Sequence, residues 1–507
     1  MPDTKKDVFK ILAEMRRLAL GINDQNPQGM KGMVASFMPS GEPVNPDDFK
    51  NPWKPNMTSP SKVEPPPPAG TDPGTPDTSD IGKRYENLAN TCTLVDRKLQ
   101  FNEIYQAIKT GASISQAWEI IVTGANVMPL PPEQEEFQKK QRDKYLPRLR
   151  KTIKDEDGSD MDVDTKEYKA YKDYEKKYQN AIRAYTAQYL VAMSSRATAQ
   201  TWGVLGKTYI QDVNDAWDEW TSLGNKQYIE EARDNLAAMG TDAAAHMIAA
   251  AKKKFEAYQV ATQGVIPVTT AYTELFPSNW AEIVPDDGWT TYHYDWQKQT
   301  TTTDAESSSF SGSTSISVGF WSFDANASYE KRTEHDDMKL DGLTIDFSYA
   351  LVEINRPWLD ALLFDLGNWF LVGNYPKGSI STGQMGQILP DTAVDTWLPI
   401  IPQQMFVIKN LKISTTDIHN TFDSLSTKVS GGGGIGIGPF HLGGQYSHSK
   451  DTKTWVAEKT GEGLEVKGAQ IMGWISNLVP LSPKIDAPKE EKKTDGVETP
   501  PVAEPVA

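Results

Sequence analysis

Residue types able to do chemistry are few in this chain, and their spacing suits little. Its histidines, His246, His293, His335, His419, His441 and His448, are scattered, with no H-E-x-x-H pair to seat zinc on one helix face. His441 and His448 stand near glycines, and neither a cysteine nor a carboxylate cluster is spaced to complete a metal site. The acidic run Asp155–Asp164 invites a Ca²⁺ reading. A loop begun at Asp155 places Asp160 where the turn needs glycine and Lys166 where a bidentate Glu belongs, so a solvated loop is expected instead. Gly431, Gly433 and Gly436 spell G-x-G-x-x-G, but Pro439 follows at once and no helix opens there to receive a pyrophosphate. There is no G-x-S-x-G elbow. The only cysteine, Cys92, falls on the apolar stripe Ile81, Tyr85, Leu88, Val95, Leu99 and reads as a core thiol. No catalytic residue, metal or cofactor is expected, and an enzyme is the least favoured class.

Composition narrows the partners. A net charge of −16 over 507 residues leaves no broad basic surface to displace counterions from nucleic-acid phosphates, so a nucleic-acid partner is not expected. One cysteine excludes an intrachain disulfide. Neither a signal peptide nor a run of about 20 apolar residues is visible. The protein is therefore expected to be soluble and cytoplasmic as synthesised, with any release by a route that needs no signal peptide.

The elements that must position any site divide the chain. Residues 1–21 read as an amphipathic helix with Val8, Ile11, Leu12 and Met15 on one face, suited to docking on a partner or on its own protein. Repeated prolines make residues 22–80 an expected linker. Residues 81–263 carry helical periodicity and read as an elongated bundle. Within it a tyrosine stripe (Tyr168, Tyr171, Tyr174, Tyr178, Tyr185, Tyr189) marks a packed seam on a long helix. Residues 264–480 change to period 2, with strands at Leu343–Ile354, Met405–Ile413 and Leu464–Leu478 and a helical insert at Trp358–Trp369. Residues 481–507 read as a disordered tail. The fold class expected is α+β: a helical bundle followed by an antiparallel β domain.

The β domain contains a degenerate duplication, Ser311–Thr333 and Gly431–Asp451, each copy reading as an amphipathic hairpin with an aromatic tip. In the first, Phe310, Ile316, Val318 and Phe320 alternate with Ser311, Ser313, Ser315 and Ser317 before Trp321; in the second, Ile435 and Ile437 precede Phe440. Two readings fit. The hairpins are strands of a water-soluble sheet, or they insert in a bilayer, where about 9–11 residues of alternating character span the membrane. Uncharged Ser/Gly-rich hairpins of this kind resemble, in general style, the insertion segments of β-barrel pore formers, although no family motif matches residue by residue.

The function expected is a non-enzymatic, pore-forming-type protein with a lipid membrane and copies of itself as partners. Phe310, Ile316, Val318, Phe320, Trp321, Ile435, Ile437 and Phe440 would face or anchor in lipid, and Ser311, Ser313, Ser315 and Ser317 would face a lumen. The alternative is a soluble assembly protein whose β domain self-associates and whose N-terminal helix docks on a partner.

Overall fold

Alternating burial along Thr344–Asn355 and nearly continuous burial along Ile400–Ser414 place two neighbouring strands at the centre of the fold, one of them covered on both faces. The computed structural model describes residues 4–54, 78–101, 107–128, 132–154, 158, 160–193, 196–238, 241–262, 268–282, 289–295, 321–323, 333–335, 342–373, 375–384, 396–415, 418–426, 434–446, 454–461 and 463–488. It is a mixed α+β structure.

In chain order run helix α1 (Thr4–Leu20), strand β1 (Met33–Pro43), α2 (Thr78–Val95), α3 (Lys166–Met193), α4 (Arg196–Ser222) and α5 (Thr241–Ala257). Then come β2 (Thr290–Asp295), β3 (Trp321–Phe323), β4 (Thr333–His335), β5 (Thr344–Asn355) and β6 (Ile400–Ser414). The last strands are β7 (Ile435–Ile437), β8 (Phe440–Gln445), β9 (Thr454–Val456), β10 (Gly463–Val466) and β11 (Gln470–Leu478). The main antiparallel sheet has the order β1-β11-β6-β5-β2, with β10 continuing beside β6 where β11 stops. A smaller sheet has the order β4-β3-β7-β8-β9.

Alternation along β6 explains why the main sheet is buried on both sides. Met405 and Val407 point into a core with Leu94, Val95, Trp280 and Trp474. Phe406 and Ile408 point the other way, into a core built with α1, Phe37, Phe347 and the small sheet. A third core joins the helices to the loop after β5: Trp118, Tyr171, Trp220 and Phe255 pack in one cluster with Trp358, Leu363 and Trp369. The tyrosine seam forms as the spacing requires. Tyr178 meets Trp217 and Trp220 at 5.2 and 5.7 Å, and Tyr185 and Tyr189 flank Trp202 at 5.4 and 5.6 Å, which zips α3 to α4.

Several sequence-based boundaries need correction. The expected linker 22–80 contains β1, an edge strand of the main sheet paired with β11 from Met33↔Asn477 to Pro43↔Gln470. Its prolines mask a strand because Pro39 and Pro43 sit on an edge, where a missing N–H costs little. The expected bundle 81–263 also holds two short antiparallel hairpins, Arg97–Phe101 with Ala107–Ser113 and Arg150–Lys154 with Asp160–Asp164. Because its core includes Trp358 and Trp369, it is not a unit separate from residues 264–480. The helix expected at Trp358–Trp369 shrinks to Leu362–Asp365, and the strand at Leu464–Leu478 breaks at Lys467–Ala469. Residues 481–488 are held to the body, Lys484 donating to the Asp365 carbonyl at 2.5 Å and Asp486 accepting from the Lys377 N–H at 2.6 Å.

Candidate functional site

The main sheet brings four chain crossings to one level at one of its ends. Asp295 at the end of β2 pairs with Thr344 at the start of β5. Thr344 pairs on its other side with Ser414 at the end of β6, and Ser414 pairs with Gly463 at the start of β10. Two long connections, residues 296–343 and 415–462, therefore leave the sheet side by side and, counted between these pairs, are equal in length, although the second turns back into β10 through Glu458 and Lys459, which pair with Glu465 and Leu464. Each contains one of the hairpins singled out in the sequence.

The described parts of the two connections meet in the small sheet. Strand β3 from the first pairs antiparallel with β7 from the second, Trp321 opposite Ile437, Ser322 opposite Gly436 and Phe323 opposite Ile435. Strand β7 turns through Gly438 and Pro439 into β8, with Ile437 opposite Phe440 and Gly436 opposite His441. Gly438 has φ +54°, a left-handed conformation that a side chain disfavours, which suits glycine to this turn.

This second hairpin is clasped to the edge of the main sheet. The Gly41 N–H donates to the Pro439 carbonyl at 2.7 Å. The Gln470 side chain, buried in β11, spans the backbone of His441: its Oε1 accepts from the His441 N–H at 2.9 Å and its Nε2 donates to the His441 carbonyl at 2.8 Å. Ser40 Oγ lies 3.4 Å from His441 Nδ1. The imidazole fits because a Cβ on Gly434 would stand 2.5 Å from its Nε2. Apolar contact completes the clasp, with Phe440 centred 6.0 Å from Phe347.

No family model, curated protein or solved structure matches this chain.

The residues expected at the site fare unequally. Phe310, Ser311, Ser313, Ser315, Ile316, Ser317, Val318 and Phe320 lie outside the described residues. Trp321 opens β3 at the junction of the two connections. Ile435, Ile437 and Phe440 are buried in the core under the small sheet, at 4%, 0% and 0% exposure, so in this structure their apolar face is turned to protein rather than lipid. The docking-arm reading of α1 also needs correction. Val8 lies in the helix, while Ile11, Leu12 and Met15 are buried between α3 and the main sheet with Phe406 and Ile408. Polar contacts hold α1 in place. Tyr292 donates to the buried Glu14 carboxylate at 2.7 Å, and Arg183 Nε donates to the Ala19 carbonyl at 3.2 Å while its Nη2 reaches Gln404 Oε1 at 2.9 Å. Burial draws the Arg183 guanidinium down to about 10, and it raises the Tyr292 hydroxyl well above its ordinary range, with Glu14 adding to that.

Other chemistry stays sparse. Among the described residues no three His, Cys, Asp or Glu side chains converge as for a metal ion, and no helix is long and apolar enough to cross a membrane. Cys92 is buried, and desolvation lifts its thiol to about 12, which suits the core role read from its spacing. Sequence reasoning missed the clasp residues Ser40, Gly41 and Gln470. The one signal available was Gln470 itself, an amide heading an apolar strand, which a buried position tolerates only with partners for both ends.

Proposed function

We propose that this is a non-enzymatic, membrane-active protein of the pore-forming type. After self-association, the connections 296–343 and 415–462 unfold from the small sheet and extend the strands of the main sheet as two amphipathic hairpins. The observation that carries the reading is the level exit at one end of a single antiparallel meander. A hairpin that prolongs β2 into β5 would leave the main-sheet pairs as they stand, and one that prolongs β6 into β10 would grow in register beside it once Glu458 and Lys459 release Glu465 and Leu464 of β10. Each connection is long enough for two strands of about 9–11 residues and a stem above the membrane. The equal lengths and the repeated alternation suit two hairpins acting equivalently in a barrel wall, which needs neighbouring copies to close it.

Energetics decide where the control lies. Ile435, Ile437, Phe440 and Leu442 are each buried, and exposing them to water would cost about 1.5–3 kcal/mol apiece. Transfer from protein core to acyl chains offsets that transfer cost, because both surroundings are apolar. The barrier is the passage between them, and the clasp by Ser40, Gly41 and Gln470 keeps it closed in the soluble form.

The test is dye release from liposomes by a double variant, Ser40→Cys with His441→Cys, which ties the second hairpin to β1. Wild-type protein is expected to empty vesicles of at least one lipid charge. The oxidised variant is expected to be silent and to recover on reduction. Absence of release by wild type across neutral and anionic vesicles and across pH would overturn the proposal, as would full release by the locked form.

A further inference from the structure

At the opposite end of the main sheet from the two connections lies a cavity of about 510 Å³. Strand β5 links the two places, running from Thr344 at the exits to Asn355 in the cavity wall, a rise of roughly 35 Å. The other walls come from the Arg150–Lys154 and Asp160–Asp164 hairpin, the first turns of α3, the end of α5 and the loop after β5. The size is that of a small-molecule site.

Its lining is basic although the chain as a whole is acidic: five Lys or Arg side chains against three Asp. The acids are already engaged, Asp162 by the Thr152 hydroxyl at 2.7 Å. Asp360, fully buried, is 2.5 Å from Arg150 Nη2, and Asp164 pairs with Arg150 Nη1 and, at 2.5 Å, with Lys172. Desolvation works against the Asp360 carboxylate, yet the charges of Arg150 and Lys254 hold it below its ordinary value, so it remains an anion. Of the other cations, Lys169 is exposed and Arg356 donates to the carbonyls of Pro402 and Val95, which leaves Lys254 as the one turned to the cavity without such partners. It lines the cavity from α5, and among the described residues no carboxylate lies within ion-pairing distance of its Nζ. Burial pulls its ammonium down to about 8, with Asp360 opposing and Arg150 and Lys172 adding to the fall. Lys172 spends one of its three donors on Asp164. Tyr168 and Tyr258 line the same space, and neither hydroxyl has a hydrogen-bond partner among the described residues.

A half-buried ammonium with no carboxylate in ion-pairing distance, sharing a cavity with a second one and two hydroxyls without partners, is an arrangement that would accept an anion. We propose that this cavity binds a phosphate-bearing ligand, a phosphate or phosphate monoester. Its oxygens would accept from Lys254 and Lys172 and from the Tyr168 and Tyr258 hydroxyls, while the Arg150–Asp360 and Arg150–Asp164 pairs keep the wall rigid. Phosphate suits the geometry because its acceptors point in several directions at once, as donors converging from different elements require. Such a ligand reaches the cavity either as a free anion or as a lipid headgroup. The inference goes beyond the membrane reading and stands without it.

The experiment uses the full chain and inorganic phosphate at constant ionic strength, followed by thermal melting and calorimetry. Wild type is expected to show saturable binding. Lys254→Met is expected to lose it by tenfold or more, Lys254→Arg to keep it, and Lys172→Gln, a half-exposed change that leaves the core untouched, to weaken it several-fold. Absence of saturable binding to wild type would overturn the proposal. So would unchanged affinity in both Lys254→Met and Lys172→Gln. Flotation with phosphatidylcholine vesicles, with and without phosphatidic acid, then separates the sources. Capture of wild type but not Lys254→Met by the phosphatidic acid vesicles assigns a lipid phosphate. Phosphate binding without such capture assigns a soluble one. Because the first probe involves no membrane, its outcome is independent of dye release.

Discussion

Lys254 shows how a single side chain can be held against its own stability. Burial draws its ammonium down to about 8 in the fold from its ordinary 10.5 when unfolded, so the native state binds that proton less readily. The cost of keeping it charged is present in full below pH 8, and it is relieved as pH rises from about 8 to 10.5. Wild-type stability should therefore gain from this group as pH climbs through that window. Lys254→Met is expected to be more stable than wild type below pH 8 by about 2–3 kcal/mol and to lose the gain above it. Urea midpoints measured from pH 6 to 10 check this, and a variant less stable than wild type at neutral pH would refute it. A residue that weakens the fold while lining a cavity is the pattern expected where binding matters more than rigidity.

Helix α1 and strand β1 matter at the scale of the element. Together they cover one edge and part of one face of the main sheet, and Ser40 and Gly41 of β1 touch the hairpin that the proposed mechanism must free. Helix α1 ends at Gly21, whose φ of +64° and whose missing Cβ, which would stand 2.6 Å from Ile182, let the chain turn back under α3. Docking of this helix on its own protein has a measurable consequence. Met15→Ala removes a side chain with no exposure and should cost about 2–5 kcal/mol in chemical denaturation. An unchanged midpoint would mean that α1 is not part of the native core in solution.

For the whole molecule the proposed change is divided between a scaffold that stays folded and two connections that move. Cys92 lies in the scaffold core, packed in one cluster with Trp118 and Trp358, and its buried thiol with a raised pKa is protected from thiol reagents. If insertion leaves the scaffold intact, Cys92 should label as slowly in liposome-bound protein as in solution, and quickly only in denaturant. Fast labelling on vesicles that release dye would show that the cores open as well, and the prolonged-strand mechanism would fail.

Local pattern by itself determined the elements whose neighbours matter least. The tyrosine spacing of α3, the alternation of β5 and the stripe Tyr85, Leu88, Cys92 and Val95 are set by periods of 3.6 and 2 along the chain and form as spaced, whereas Leu99 of that stripe falls beyond the helix on the strand Arg97–Phe101. What tertiary structure decided are the relations between distant segments. Pro43 and the prolines after it argued for a linker until an edge position beside β11 made Pro43 tolerable, and the apolar face of α1 had no address until the main sheet supplied one. The hairpin Ile435–Phe440 carries an amphipathic pattern that protein core and lipid satisfy equally, because both bury apolar groups. Only its pairing with Trp321–Phe323 and its clasp to Gln470 show which of the two holds it in this state. The level exits and the basic cavity lie further still from local pattern, since each assembles residues that are neighbours in space alone.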